Sequence, residues 1–393
     1  MIPRLKADLR FSDLAELWPS RSKEEDVSKF EQAFAELAGQ KHAIAFPYGR
    51  TAQIAILKAL GEPGGEVICP SYTCVVVIHA IVKAGMKPIF VDSNKLDFNM
   101  DWGFVRKATC HKTKAIIATS IFGHPINQDA FKLYRKDFPK ITILQDCAHS
   151  FFANNAHKEG LAAFFGLNIS KIITSIFGGM VTTDDKKFAE KVRNIRSKIL
   201  HDGGMFYEIK RSLYLIAVMI SFTRPVYKMV NILERKNLIN RFVKYYDPFK
   251  IDLPKDAFIK MGGLASRIGL KQCARYQKIV EHRRYVARIY HENLTGFADF
   301  IMPPKHSKMT VSHFVIRTKH AENIKAALLK KNIQLGELID YDCSEIPFYS
   351  KEKYVGEKKS KKFPKLVINL PVHMSIRKSD AMRICEILKN QFQ

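Results

Sequence analysis

Ile141-Thr142-Ile143-Leu144-Gln145-Asp146 is an apolar, β-branched run that ends on a carboxylate, and 25 residues beyond it Lys171 stands inside a second apolar run, Leu167-Asn168-Ile169-Ser170-Lys171-Ile172-Ile173. The first run has the length and composition of a strand buried in a parallel sheet. The second gives its lysine strand-like surroundings. An acid and an amine so placed are what pyridoxal phosphate needs: the amine condenses with the cofactor aldehyde, and the acid keeps the pyridine nitrogen protonated so that the ring accepts electrons from a substrate carbon. Strands that end in Asp and lysines that close short apolar runs are also ordinary in α/β proteins, so the pair alone leaves a packing role open beside a cofactor role.

Further apolar runs surround it: Ala43–Phe46, Glu66–Cys69, Pro88–Val91, Ala115–Ser120 and Gly179–Thr182. Stretches with helical spacing, such as Thr51–Leu60 and Val75–Lys83, lie between most of them. Strands alternating with helices predict an α/β fold with a mainly parallel, doubly wound sheet whose ligands sit at the carboxyl ends of the strands. Asp146 is at such an end. After Asp184-Asp185 the pattern changes to a charged helix, Lys186–Leu200, and a basic, aromatic insertion over residues 201–250. A long helix over Leu264–Leu294, a strand in Val311–Ile316, a helix over Ala321–Lys331 and a last helix over Ser379–Phe392 predict a smaller α/β domain over 251–393, after a large domain over 1–250. Lys351–Lys365 reads as a solvated, lysine-rich loop.

The composition narrows the partners. With 64 Lys+Arg against 38 Asp+Glu, the 393-residue chain carries a net charge of +26, which favours anionic partners such as nucleotides, acidic glycans or a negatively charged membrane face. A lysine-rich composition with no such role is the plain alternative. No nucleic-acid-binding motif is present to recruit DNA or RNA. Leu213–Phe222 is apolar for about ten residues, short of the roughly 20 that span a bilayer. Its flanks, Lys210, Arg211, Arg224 and Lys228, suit a helix lying on a membrane surface, although packing in a dimer or over the core fits as well. Met1–Asp8 lacks the apolar core of a secretory signal, which predicts a cytoplasmic protein. The seven cysteines fall singly, without metal-ligand spacing, and predict reduced thiols.

A phosphate needs backbone amides, and Tyr48-Gly49-Arg50-Thr51-Ala52 places a glycine between an apolar strand and a helix whose free N-terminal N–H groups favour an anion. With this turn the chain resembles the DegT/DnrJ/EryC1/StrS sugar aminotransferases, of the fold-type I pyridoxal phosphate architecture. The matching segments are Gly49–Ala52, Glu66–Thr73, Ala84–Asp92, Phe122–Pro125, Gln145–Ser150 and Ser170–Gly179, in that family's order and spacing. The resemblance is good over residues 28–200 and looser beyond.

It implies that Lys171 holds the cofactor and shuttles the substrate proton, that Asp146 pairs with the pyridine nitrogen, and that His149 lies beside the phenolic oxygen. It further implies that Gly49, Arg50 and Thr51 cradle the phosphate, with Ser170 and Cys74 among the remaining cofactor contacts. The implied reaction is transfer of an amino group from an amino acid such as glutamate to a keto sugar, nucleotide-linked, for surface glycan synthesis. A homodimer with a shared site is implied as well. The chain departs from the pattern at Cys74, where an aromatic ring is common, unless Tyr72 compensates. It departs again at Gly166, where a phosphate-binding serine is common, and at Phe258 and Lys260, where an Asn and an Arg reach the neighbouring subunit's site. A dehydratase of the same fold, whose members replace the lysine, and a catalytically reduced binding protein are the alternatives.

Overall fold

The computed structural model describes every residue except 19–21, 62, 237, 239–246, 306, 337 and 392–393. In chain order its first part comprises α1 (Lys23–Ala38), β1 (His42–Phe46), α2 (Gly49–Ala59), β2 (Glu66–Pro70), α3 (Val75–Lys83), β3 (Lys87–Val91) and α4 (Trp102–Ala108). β4 (Thr113–Thr119), α5 (Gln128–Asp137), β5 (Thr142–Asp146), β6 (Ala162–Gly166), β7 (Gly179–Thr183) and α6 (Lys186–Ile199) follow. Then come α7 (Gly204–Ser221), α8 (Arg224–Arg235), α9 (Gly263–Leu294), β8 (Phe314–Arg317), α10 (Ala321–Lys330), β9 (Tyr354–Val355), β10 (Val367–Leu370) and α11 (Lys378–Gln391). The predicted end of the last helix, Phe392, lies outside the described residues.

Among the described residues eight strands form one sheet in the order β1-β7-β6-β5-β4-β2-β3-β9. Only β7 runs antiparallel to its neighbours, β1 and β6. Alternate side chains face opposite layers, as the period of two requires. Phe46, Cys69, Ile117, Leu144 and Val181 pack under α2, α3 and α6. On the other face Ala45, Phe165 and Met180 meet Phe30 and Phe34 of α1 and the N-terminal half of α9, while Ile68, Ile116 and Ile143 meet α4 and α5. Both faces are covered, which is why the strands read as continuous apolar runs rather than alternating ones. The second half of α9 leaves this layer and packs with the antiparallel pair β8–β10, α10 and α11 around a separate apolar cluster that includes Tyr290, Phe314 and Leu388.

Two expectations need correcting. Lys171 is not on a strand: it sits in the loop between β6 and β7. The strand nearby is β6, Ala162–Gly166, a run of small and aromatic residues without a β-branched side chain. Nor is Lys351–Lys365 simply a solvated loop. Its lysines face water, but Tyr354–Val355 extends the sheet beside β3, and Asp92, at the end of β3, draws the following turn in by accepting from the amides of Glu357, Lys359 and Ser360 at 3.0, 2.9 and 2.9 Å. Burial pushes the Asp92 pKa up, but these amide bonds outweigh it and the net shift is downward.

His79, His157 and His373 are buried, and burial lowers their pKa values to about 4, 4 and 3. His157 Nε2 donates to the Ala38 carbonyl at 2.8 Å. An unfolded histidine titrates near ~6.5, so between that pH and about 4 the unfolded chain binds more protons than the folded one. Stability from these rings is complete above pH ~6.5 and lost as the pH falls. The urea midpoint is expected to drop steadily from pH 6.5 to 4; a flat or rising midpoint contradicts it.

Candidate active site at the strand ends

β1, β6 and the start of β7 come together in register: Phe46 lies opposite Gly179, and Gly179 opposite Gly166. The first turn of α2 is pressed onto this seam. A β-carbon at Gly49 would stand 3.0 Å from Gly166 Cα and 3.1 Å from the Phe165 oxygen, and one at Gly179 would overlap the Tyr48 carbonyl. Glycine is required here because two backbones meet, not because of a turn angle. The N-cap residue, Tyr48, offers no side-chain cap, and the first-turn amides of an α-helix are the donors that an anionic group takes up. In α2 these amides belong to Gly49, Arg50 and Thr51.

The side chains of that turn are less available than expected. Thr51 is wholly buried, and its hydroxyl donates to the Ala257 carbonyl at 2.8 Å, so it contributes its amide and not a hydroxyl to the open face. The half-buried Arg50 guanidinium lies 5.8 Å from the Tyr48 ring centre. Tyr48 in turn donates to Asp256 at 2.7 Å, and Arg211 of α7 bonds both of them, at 3.2 and 2.6 Å, while stacking 3.8 Å over Phe177. The turn is thus braced from the insertion and from the segment before α9.

Asp146 closes β5, where its carboxylate accepts from the Ala148 amide at 3.1 Å and from Thr119, its register partner on β4, at 3.4 Å. Burial raises its pKa, and the Ala148 bond and the charge of Lys171 work against that rise. Lys171 is held on a tight turn: its amide donates to the Asn168 carbonyl at 3.0 Å, while Asn168 Oδ1 accepts from the Ser170 amide and hydroxyl at 3.0 and 2.6 Å. Ser170 itself is exposed, and its bonds to Asn168 shape the turn. Burial lowers the Lys171 pKa, partly offset by Cys74 and Asp146. An amine lowered in this way gives up its proton nearer neutrality, as a base or nucleophile must.

His149 stacks on Phe122 with ring centres 5.9 Å apart and planes 22° apart, and its Nδ1 accepts from the Phe122 amide at 3.3 Å. The proton of the neutral ring therefore sits on Nε2, free to donate. Burial holds its pKa well below the ordinary histidine value, assisted by Lys171 and His313. His313 is the residue that sequence reasoning missed. It arrives from the C-terminal part, just before β8, and places its ring 4.7 Å from that of His149; burial lowers its pKa to about 3. Nothing in Val311–Ile316 marks it, since contacts remote in sequence bring it here: Gly123 packs against the Val311–Ser312 backbone, the His313 amide donates to the Phe122 carbonyl at 3.3 Å, and Arg283 donates to the Ser312 carbonyl at 2.9 Å. Phe122 and Val311 both hold left-handed backbone, φ 57° and 51°, at this junction.

Cys74 ends the loop before α3 as its partly buried N-cap residue. Tyr72 does not supply the missing ring: it is sealed among Phe98, Phe122 and Phe363. Lys260 is exposed and pairs with Asp202 at 3.0 Å, while Phe258 packs against the core. The site thus combines helix-terminal amides, a buried acid, a histidine donor and an amine of lowered pKa. These fit pyridoxal phosphate, as phosphate cradle, pyridinium partner, phenolic-oxygen neighbour and covalent anchor respectively.

Fold and site together define a pyridoxal phosphate-dependent aminotransferase of fold-type I. The chain belongs to the DegT/DnrJ/EryC1/StrS aminotransferase family, whose model matches residues 14–215 and 256–389. Among its relatives is a GDP-perosamine synthase of Escherichia coli O157:H7, 26% identical over 382 residues that cover 94% of this chain and 91% of the relative. Helicobacter pylori PseC, an aminotransferase involved in the biosynthesis of pseudoaminic acid, superposes with a TM-score of 0.77 at 18% identity, covering 100% of this chain and 99% of its own. A GDP-4-keto-6-deoxymannose-3-dehydratase with a trapped PLP-glutamate geminal diamine gives a TM-score of 0.78 at 18% identity, covering 99% and 100%.

A β-carbon at Gly166 would meet only Lys171 Cε at 3.5 Å and Ala148 Cβ at 3.7 Å, ordinary contacts that leave room for a serine. Gly166→Ser is expected to keep the parent's thermal midpoint and to hold pyridoxal phosphate roughly tenfold more tightly, the worth of one hydrogen bond to a charged group. Equilibrium dialysis measures this, and weaker binding contradicts it. Gly179→Ala is expected to cost about 1–3 kcal/mol or more, because its methyl meets backbone that cannot give way. A denaturation midpoint equal to the parent's contradicts that packing.

Proposed function

We propose that the protein transfers the amino group of an amino acid, glutamate for preference, to a nucleotide-linked keto sugar, yielding an amino sugar for surface polysaccharide synthesis. The observation that carries the reading is the convergence of Lys171 and Asp146, from different segments, beside the capless first turn of α2. The family match and the full-length relative that makes GDP-perosamine support it. Retention of Lys171 favours transamination over dehydration. We also take the protein to be a cytoplasmic homodimer that works at the inner membrane surface.

The roles follow from the geometry. Pyridoxal phosphate, when bound, supplies an electron sink for the carbon that gains or loses the amino group. Lys171 would anchor it and carry the proton at Nζ. Its lowered pKa keeps the neutral form accessible. Asp146, fixed by Ala148 and Thr119, would hold the ring nitrogen in its protonated form. The Nε2–H of His149 would bond the phenolic oxygen, and the amides of Gly49, Arg50 and Thr51 the phosphate, with the Arg50 charge beside them. Cys74 would line the ring face, and His313 would stand next to His149 at the substrate side.

The test supplies glutamate and a set of nucleotide-linked keto sugars to purified protein and follows products by mass spectrometry. One amino sugar is expected for each 2-oxoglutarate formed. Lys171→Ala should lower the rate by at least roughly 10²-fold, the contribution of one positioned proton carrier. A sugar that has lost water without gaining nitrogen overturns the reading in favour of dehydration. Cofactor binding without turnover of any donor points instead to a catalytically reduced protein.

A further inference from the structure

The family model stops at residue 215 and resumes at 256, so the last third of α7 and all of α8 lie outside the family match. α7 is not a loose appendage. Leu215 and Val218 are buried, and Leu215 joins Ile176, Leu264 and Ile268 in an apolar cluster. Arg211 ties the helix to Tyr48 and Asp256. With that face fixed inward, the opposite face is presented outward.

The outward face is apolar. Phe206, Ile209, Leu213 and Ile220, spaced to share one side of the helix, are 84, 47, 63 and 52% exposed. On α8, Met229 and Ile232 are exposed on one side together with Lys228 and Arg235. Lys210 and Lys236 add to the same surfaces. All exposed charged side chains described on the two helices are positive. The acidic residues are drawn inward: Glu234 pairs with Arg4 at 2.7 Å, and Glu208 turns onto Gly262.

We propose that the α7–α8 face docks on an anionic lipid bilayer, with its apolar side chains in the headgroup boundary and its lysines and arginine reaching lipid phosphates. Long basic side chains bury their stems while keeping the charge at the polar layer, and basic amphipathic helices bind anionic interfaces through both terms. The helices lie on the surface and do not span it. No single helix among the described residues is long and apolar enough to cross; α7 and α8 reach that length and composition only as a pair, and they meet at a bend of 103°. A second copy of the chain is a poorer occupant, since a two-fold contact of this face with itself would set like charges together. The inference depends on no step of the proposed reaction.

The test is flotation of the purified full chain with vesicles of phosphatidylglycerol and phosphatidylethanolamine, or of phosphatidylcholine alone. The protein is expected to float with the anionic vesicles at low salt and at least tenfold less with the neutral ones. Ile209→Glu/Leu213→Glu and Lys228→Glu/Arg235→Glu/Lys236→Glu should each reduce flotation at least tenfold. The equal charge change Lys132→Glu/Lys136→Glu/Lys140→Glu on and after α5 should not. Thermal midpoints identify any variant that fails to fold, and the wild-type result with the other variant then decides. Absence of flotation at low salt overturns the proposal. So does equal loss in the α5 control, which assigns binding to the overall charge, or a wild-type dimer that never floats and that Leu213→Glu dissociates, which assigns the face to a second copy.

Discussion

The site depends on burying an acid and an amine at the same sheet edge. Each ion alone would cost several kcal/mol to desolvate, and the shifts record that cost: the Asp146 pKa is driven up and the Lys171 pKa down. Their mutual attraction offsets the cost only in part. The acid is stabilised further by the Ala148 amide and Thr119, whereas the lysine is held by its turn with no carboxylate bonded to Nζ among the described residues. That asymmetry suits the proposed roles: the acid remains ionised against a cationic ring, while the amine can be either charged or neutral.

A second constraint is steric. Two glycines, Gly49 and Gly179, let the start of α2 lie directly on the strand ends, so that its amides lie toward the same edge as Asp146. The braces behind it, Tyr48–Asp256–Arg211 and Thr51–Ala257, reach the turn from chain segments some 160 to 210 residues away. Long-range packing therefore positions what local sequence makes possible. The same is true of His313, which meets His149 because Gly123 admits the Val311–Ser312 backbone.

Much of this was legible beforehand, for physical reasons. Doubly covered strands make unbroken apolar runs, so β1 to β5 and β7 could be read off with their boundaries shifted by a residue or two, and Asp146 stood out as the polar end of one. The surroundings of Lys171 read as strand-like because Ile169, Ile172 and Ile173 are apolar; the Asn168 turn that carries it leaves no period to read. β6 was missed because Ala162-Ala163-Phe164-Phe165 lacks β-branching, and β9 because lysines surround two residues whose pairing is set by Asp92. The sequence points Thr51 at the phosphate, whereas its hydroxyl is taken by a carbonyl more than 200 residues further along the chain. Motif order conveyed the chemistry, and partners remote in sequence stayed hidden.

The central claim is that Lys171, and no other amine, is the covalent anchor. Borohydride reduction of the protein loaded with pyridoxal phosphate, followed by digestion and mass spectrometry, tests it directly. The account predicts one stoichiometric phosphopyridoxyl group on the peptide that contains Lys171. The group on a different lysine with Lys171 unmodified, or no attachment at a saturating cofactor concentration, would contradict it.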